Sequence, residues 1–155
     1  MQGETKVIDE LNARLAEELS AINQYMVHAE MCDDWHYGRL ADPIKKRSIA
    51  EMKHAERLIE RILFLDGRPI VSNLTPIHIG SVVPDMHAND LALEVDAVKA
   101  YNESIRVCVE LKDEGTKEML EAILADEEDH VDWLEAQLAQ IEQAGRENYL
   151  AEQIG

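Results

Sequence analysis

Apolar residues along this chain recur at alternating steps of three and four, the spacing that keeps side chains on one face of an α-helix. From Val7 to Ala29 the positions Leu11, Leu15, Glu18, Ile22, Tyr25 and Ala29 follow that rule, with Thr5 as the expected N-cap and fraying around Asp33 to Gly38. A second stripe follows Pro43: Ile44, Ser48, Glu51, Ala55, Leu58, Ile62 and Leu65. Asp66-Gly67 ends it, with Gly67 expected in the C-terminal capping position and Pro69 just beyond. Residues 67–83 hold Gly67, Pro69, Pro76 and Gly80 and show no helical period, which predicts a long connection. A third helix is expected from near Pro84-Asp85 to about Lys112, with Leu91, Glu94, Val98, Tyr101, Ile105 and Cys108 on one face. After Glu114-Gly115-Thr116 a fourth runs to about Ala144, its stripe being Leu120, Leu124, Glu127, Val131, Leu134, Leu138 and Ile141. Gly145 sets off a short amphipathic tail, Arg146 to Ile154. Four long helices with short, long and short connections predict an all-α four-helix bundle with one long crossover and a short fifth C-terminal helix. The whole chain, 1–155, reads as a single domain.

Each of the four stripes contains one glutamate where a leucine or isoleucine belongs: Glu18, Glu51, Glu94 and Glu127. Glu18 and Glu51 are 33 residues apart, and so are Glu94 and Glu127. His54 follows Glu51 at i+3 and His130 follows Glu127 at i+3, each on the face of its glutamate. The two sets are offset by 76 residues throughout, and Val7/Val83, Leu15/Leu91, Tyr25/Tyr101 and Cys32/Cys108 are identities on that offset. The chain therefore reads as two copies of one helical hairpin. The midpoint of each glutamate pair falls near a predicted turn, so all six side chains converge on one layer of the core.

Four buried carboxylates are costly, because each loses its hydration and each repels the others. Two divalent cations cancel the four negative charges. Carboxylates with imidazoles suit iron or manganese better than a structural zinc site, which favours cysteine. One Glu from each of two helices and Glu-x-x-His from the other two is the layout of dinuclear carboxylate bundles.

Charge points the same way. Against 15 Lys+Arg stand 32 Asp+Glu, a net −17 that repels phosphate backbones and favours cations as partners over nucleic acid. No apolar run approaches the roughly 20 residues needed to span a bilayer, so no membrane role is expected. The opening MQGETKVIDEL lacks a basic segment followed by an apolar one, and two cysteines make a poor disulfide framework. A cytoplasmic protein with reduced, core-packed thiols is the expectation.

The stretches LAEELSAINQYMVHAEM, EMKHAERLIERILFLDG, DLALE and DEEDHVDWLE resemble the bacterioferritins, the haem-containing bacterial branch of the ferritins, and the resemblance covers essentially the whole chain. It implies a ferritin-like fold and a 24-subunit shell of two-fold dimers. Each subunit would oxidise Fe2+ with O2 or peroxide at a di-iron ferroxidase centre, and the ferric product would mineralise inside. The resemblance assigns Glu18 and His54 with bridging Glu51 to one iron, and Glu94 and His130 with bridging Glu127 to the other. Tyr25 and Trp133 match aromatic residues near the family's centre. Met52 matches the methionine that ligates haem, one b-type haem being shared by two subunits, with Leu19, Ile22, Asn23, Met26 and Ile49 lining the pocket. The same likeness implies a small ferredoxin as reductant for iron release, co-assembly with a second ferritin subunit in some cases, and Asn148 lining a pore. Where some relatives carry an inner-wall His and Asp this chain has Lys46 and Ala50, and a tyrosine near the haem is Lys45. Two other readings compete: a haem electron-transfer module whose dinuclear site is structural or holds manganese, and a DNA-protecting mini-ferritin. The second is disfavoured because one chain carries a complete ligand set and no basic tail.

Overall fold

The computed structural model describes residues 1–155. Its elements are α1 (Thr5–Asp34), α2 (Gly38–Phe64), α3 (Val83–Glu110), α4 (Glu114–Ala144) and the short α5 (Arg146–Ala151). Short turns fold α1 against α2 and α3 against α4, the two hairpins meet along α1 and α3, and α5 packs on α4. The chain thus forms the all-α bundle that its periodicity predicts, with residues 65–82 as the long crossover. No helix is long and apolar enough to cross a membrane.

The 76-residue repeat is written into the backbone. His36 and Lys112, 76 residues apart, take left-handed φ values of 61° and 59° just past the ends of α1 and α3. There the amides of Tyr37 and Asp113 donate to the carbonyls of Cys32 and Cys108, both at 2.8 Å. These are the reversed bonds that close a helix C-terminus.

Several element ends differ from expectation. The cap of α1 is Glu4, not Thr5, and it makes no side-chain cap bond. The segment before it is instead held by α2: the Met1 amino group donates to Phe64 O at 3.0 Å and Gly3 N to Leu65 O at 3.0 Å. Helix α2 begins at Gly38, five residues before Pro43, which sits inside it. Proline removes one backbone bond there, while the extra turn buries Leu40 and Ala41 in the core. At the end of α2 the left-handed residue is Asp66 (φ 57°) rather than Gly67. Gly67 is needed for closeness instead, because a Cβ there would lie 2.8 Å from Ile8 Cγ2. The tail forms helix only to Ala151.

Two apolar clusters fill the bundle. One gathers Leu11, Leu15, Leu58, Ile62, Leu120 and Ile123; the other gathers Tyr25, Ala29, Leu40, Ile44, Met86 and Tyr149. Glu18 and Glu51 fall between the clusters along α1 and α2.

Polar residues of α1 hold the crossover. Asn12 Oδ1 accepts from Ile70 N (2.8 Å), Ser20 Oγ from Thr75 N (2.7 Å), Gln24 Oε1 from His78 N (3.1 Å) and His28 Nε2 from Gly80 N (3.0 Å). Their spacing of eight, four and four keeps these rungs on one helix face. Buried Asp90 of α3 then fixes Gln24 and His28 through its Oδ1, at 2.8 and 3.0 Å. Since His28 Nε2 accepts from Gly80, the proton on its ring is at Nδ1, facing Asp90.

Helix α5 is fastened by a buried polar chain. Tyr149 Oη donates to Gln137 Oε1 at 2.6 Å, so His87 Nε2, 3.1 Å from that hydroxyl, is the donor to it. His87 Nδ1 is buried and bare. Burial, acting against the attraction of Asp90 and aided by His28, lowers the His87 pKa to about 4. Between about 6.5 and 4 the unfolded chain takes a proton that the native imidazole refuses, so stability falls as pH falls through that window. The loss is on the order of 3 kcal/mol once complete. Urea unfolding of the parent and of His87→Gln between pH 7 and 4 should show the parent losing more; parallel curves would show that His87 does not carry the effect.

Candidate metal centre

The six sequence-selected residues come from all four long helices: Glu18 on α1, Glu51 and His54 on α2, Glu94 on α3, Glu127 and His130 on α4. None is more than 6% exposed. The i+3 spacing places each histidine one turn beyond its glutamate on the same inward face.

Their ligand atoms face one another. His54 Nδ1 lies 2.9 Å from Glu127 Oε1 and 3.6 Å from both Glu18 Oε2 and Glu51 Oε2. His130 Nδ1 lies 3.0 Å from Glu51 Oε1 and 3.5 Å from Glu94 Oε1. Two overlapping groups result, Glu18–Glu51–His54–Glu127 and Glu51–Glu94–Glu127–His130, each with its ligand atoms within 4.8 Å of one another. Glu51 and Glu127 belong to both and so stand in bridging positions. On each residue one inward atom is buried and makes no hydrogen bond: Glu18 Oε2, Glu51 Oε1, His54 Nδ1, Glu94 Oε2, Glu127 Oε1 and His130 Nδ1. Buried polar atoms are rarely left so, and six converging in one layer fit the donor set of a pair of cations.

The outer carboxylate oxygens are held from behind. Tyr25 Oη donates to Glu94 Oε1 at 2.5 Å, and Tyr101 Oη to Glu18 Oε1 at 2.6 Å. These two bonds are equivalent under the 76-residue repeat. Each tyrosine fixes one oxygen and leaves the other bare toward the centre. Sequence reasoning singled out Tyr25 and took Tyr101 only as a core position, although the Tyr25/Tyr101 identity was the available signal. Trp133 is not part of this layer: its ring packs edge-on against His87, 5.6 Å away, beside α5.

Crowding shows in the proton affinities. Burial, reinforced by neighbouring carboxylates, pushes Glu51 and Glu94 well above the usual carboxylate range. Burial also opposes ionisation of Glu127, yet Glu94 and His54 hold its pKa below the ordinary value. His54 is disfavoured as a cation by burial, but Glu127 and Glu18 overcome this and lift its pKa to about 10. Without cations the layer is a proton-sharing cluster.

A cavity of about 390 Å3 reaches this layer between α1, α3 and the crossover. The four glutamates line it together with Glu17, His78 and Asp96. Glu17 is raised by burial, against the pull of Arg14, to a pKa of about 7.

A family model described as a ferritin-like domain matches residues 8–144. The bacterioferritin of Brucella melitensis is 44% identical over 149 residues, covering 96% of this chain and 92% of that protein. That of Rhodobacter capsulatus is 42% identical with the same coverage. The bacterioferritin of Mycobacterium leprae is 40% identical over 152 residues, 98% of this chain and 96% of its own length. The chain belongs to the bacterioferritin family.

Met52 and its neighbours lie elsewhere. The 3.6-residue period turns Met52 about 100° from Glu51. It is 46% exposed, with Met26 50% and Ile49 41% exposed on the same hairpin. Leu19, Ile22 and Asn23 are half-buried nearby in sequence on α1.

The electrostatic crowding has a measurable consequence. Burial and the neighbouring carboxylates raise the proton affinity of Glu94 when no cation is present, and Glu94→Gln removes the ionisable group while keeping an oxygen for Tyr25. The metal-free variant should be more stable than the parent by about 1–3 kcal/mol at pH 7. Because the native pKa is raised above 4.5, the advantage should grow as pH rises from there and vanish below it. Co2+ should raise the melting temperature of the parent more than that of the variant. Urea and thermal unfolding of metal-free protein checks this, and a variant less stable than the parent at pH 7 refutes the crowding argument.

Proposed function

We propose that this chain stores iron as a ferroxidase. Two Fe2+ ions bind as substrate between the four long helices and are oxidised to Fe3+, O2 or peroxide being the acceptor. The observation that carries this reading is the layer of six buried, converging ligand atoms that make no hydrogen bond, in a chain of the bacterioferritin family.

The residues divide the work by position. Glu18 and His54 hold one ion, Glu94 and His130 the other, and Glu51 and Glu127 span both. Four carboxylates balance the four positive charges of two Fe2+, so the filled site is neutral and the repulsion that raises Glu51 and Glu94 is removed. Oxidation adds two positive charges, which four glutamates accept more readily than neutral ligands would. With O2 as acceptor, two Fe2+ each give one electron, and O2 with two protons leaves as hydrogen peroxide. Tyr25 and Tyr101 fix the glutamate oxygens throughout, and the cavity beside the crossover gives small reactants access.

The ferric product is deposited inside a shell of 24 copies arranged as two-fold dimers. Co-assembly with a second ferritin subunit in that shell is part of the same proposal. The half-exposed Met52, Met26 and Ile49 support a haem site at the dimer axis: an apolar face with a thioether on it fits a flat, apolar group completed by a second copy. Met52 from each of two subunits would hold the haem iron, which supplies electron transfer for iron release, with a small ferredoxin as donor. The free, buried thiols of Cys32 and Cys108 suit the reducing cytoplasm.

Oxygen consumption on adding Fe2+ to the assembled, metal-free protein tests the ferroxidase reading. Glu127→Ala and Glu94→Ala should each lose rapid oxidation by at least about 10-fold while the shell still forms. Parent-like rates in both variants would end the assignment. Met52→Leu conserves volume, so it should assemble and oxidise Fe2+ like the parent yet show no haem absorption band. Stoichiometric haem in that variant would return Met52 to a packing role.

A further inference from the structure

The two histidines of the centre are equivalent by repeat but not by surroundings. His54 Nε2 lies 2.9 Å from Asp126 Oδ2, on the far side of the ring from the six converging atoms. That bond makes Nε2 the donor to Asp126 and leaves Nδ1 as the nitrogen that faces Glu18, Glu51 and Glu127, the one a cation would take once its proton is displaced. His130 directs Nδ1 at Glu51 and Glu94 in the same way, but its Nε2 makes no hydrogen bond within the protein. The 76-residue offset explains the difference: the position equivalent to Asp126 is Ala50, whose methyl group accepts nothing. The rings otherwise match, with centroids 6.3 Å apart and planes 22° from parallel.

A carboxylate behind a metal-bound imidazole fixes its tautomer and orientation and raises its basicity, and losing such a partner costs metal affinity 10- to 100-fold. We propose that Asp126 is a positioning residue that makes the two halves of the centre unequal, so that the half built on His54 holds a divalent cation more tightly than the half built on His130. This rests on the proposed dinuclear site and adds a division of labour to it: one ion is retained and the other exchanges. Asp126 is itself more than half exposed, so its removal should leave the fold intact.

Anaerobic titration of the assembled, metal-free protein with Co2+, followed by its visible ligand-field bands, tests the proposal without oxidation chemistry. The parent should bind two Co2+ per chain in two steps, His54→Ala removing the tighter and His130→Ala the weaker. Bridging carboxylates alone can split two steps, so the decisive variants act on the partner. Asp126→Ala should weaken the tighter step about 10- to 100-fold, and Asp126→Asn, whose amide oxygen still accepts from Nε2, should recover part of the loss. Ala50→Asp should tighten the weaker step with the stoichiometry still two. Far-UV circular dichroism and the metal-free melting temperature of Asp126→Ala should match the parent, separating positioning from a structural role. The proposal is overturned if Asp126→Ala leaves both steps unchanged, or if Ala50→Asp adds a third Co2+ without tightening the second. A parent that binds no pair of Co2+ would instead undo the dinuclear reading itself.

Discussion

Mutual repulsion among four buried carboxylates is the constraint around which this molecule is organised. Glu18, Glu51, Glu94 and Glu127 occupy positions that would otherwise complete two apolar clusters into one core. Hydrogen bonds compensate only in part. Tyr25 and Tyr101 satisfy one oxygen each, and His54 lowers the proton affinity of Glu127, but six inward atoms remain bare. Such an arrangement is worse for stability than an apolar layer of the same volume. What it lacks, positive charge, is what the proposed function would bring to it.

The supporting structure distributes that strain over all four helices. No helix contributes two glutamates to the layer, and every pair of neighbouring carboxylates is therefore held apart by helix packing and not by flexible backbone. The apolar clusters above and below lock the register: a slip of one residue along any helix would carry its glutamate off the inward face. The crossover is fixed with similar care. Its amides are bound by Asn12, Ser20, Gln24 and His28 on one face of α1, and Asp90 ties two of these to α3. The cavity that leads to the glutamates runs between those same three elements. One of its walls is thus held in place by a polar network.

Much of this was legible in the order of residues, for a definite reason. A glutamate in an apolar stripe is an anomaly that survives any error of a few residues in helix ends, and four of them at matched spacing specify both the bundle and its polar layer. Helix ends depend on different information. Pro43 suggests a start and Gly67 a stop, yet docking of Leu40 and Ala41 extends α2 backward, and Asp66 takes the left-handed position that a glycine usually fills. These choices are made by tertiary contacts that periodicity does not record. The second row of residues was equally hidden. Tyr101, Asp126 and Asp90 lie one helix away from the groups they orient, so only the assembled bundle shows their partners.

The repeat carries a further lesson about how the two halves differ. Where both halves keep the same residue, the contacts are duplicated: Tyr25 on Glu94 and Tyr101 on Glu18, Tyr37 on Cys32 and Asp113 on Cys108. Where they differ, function can separate. Ala50 and Asp126 occupy equivalent positions of the repeat, and only the side chain of Asp126 can accept a hydrogen bond, which it does from His54. Two halves with identical ligands would give neither ion a preferred site. Under the proposed ferroxidase function, a centre that takes in Fe2+ and passes on Fe3+ would gain from one ion staying while the other leaves, since the retained charge would keep the bridging glutamates ionised and in place. An asymmetry confined to one carboxylate outside the proposed ligand set would achieve that without disturbing the charge balance inside it.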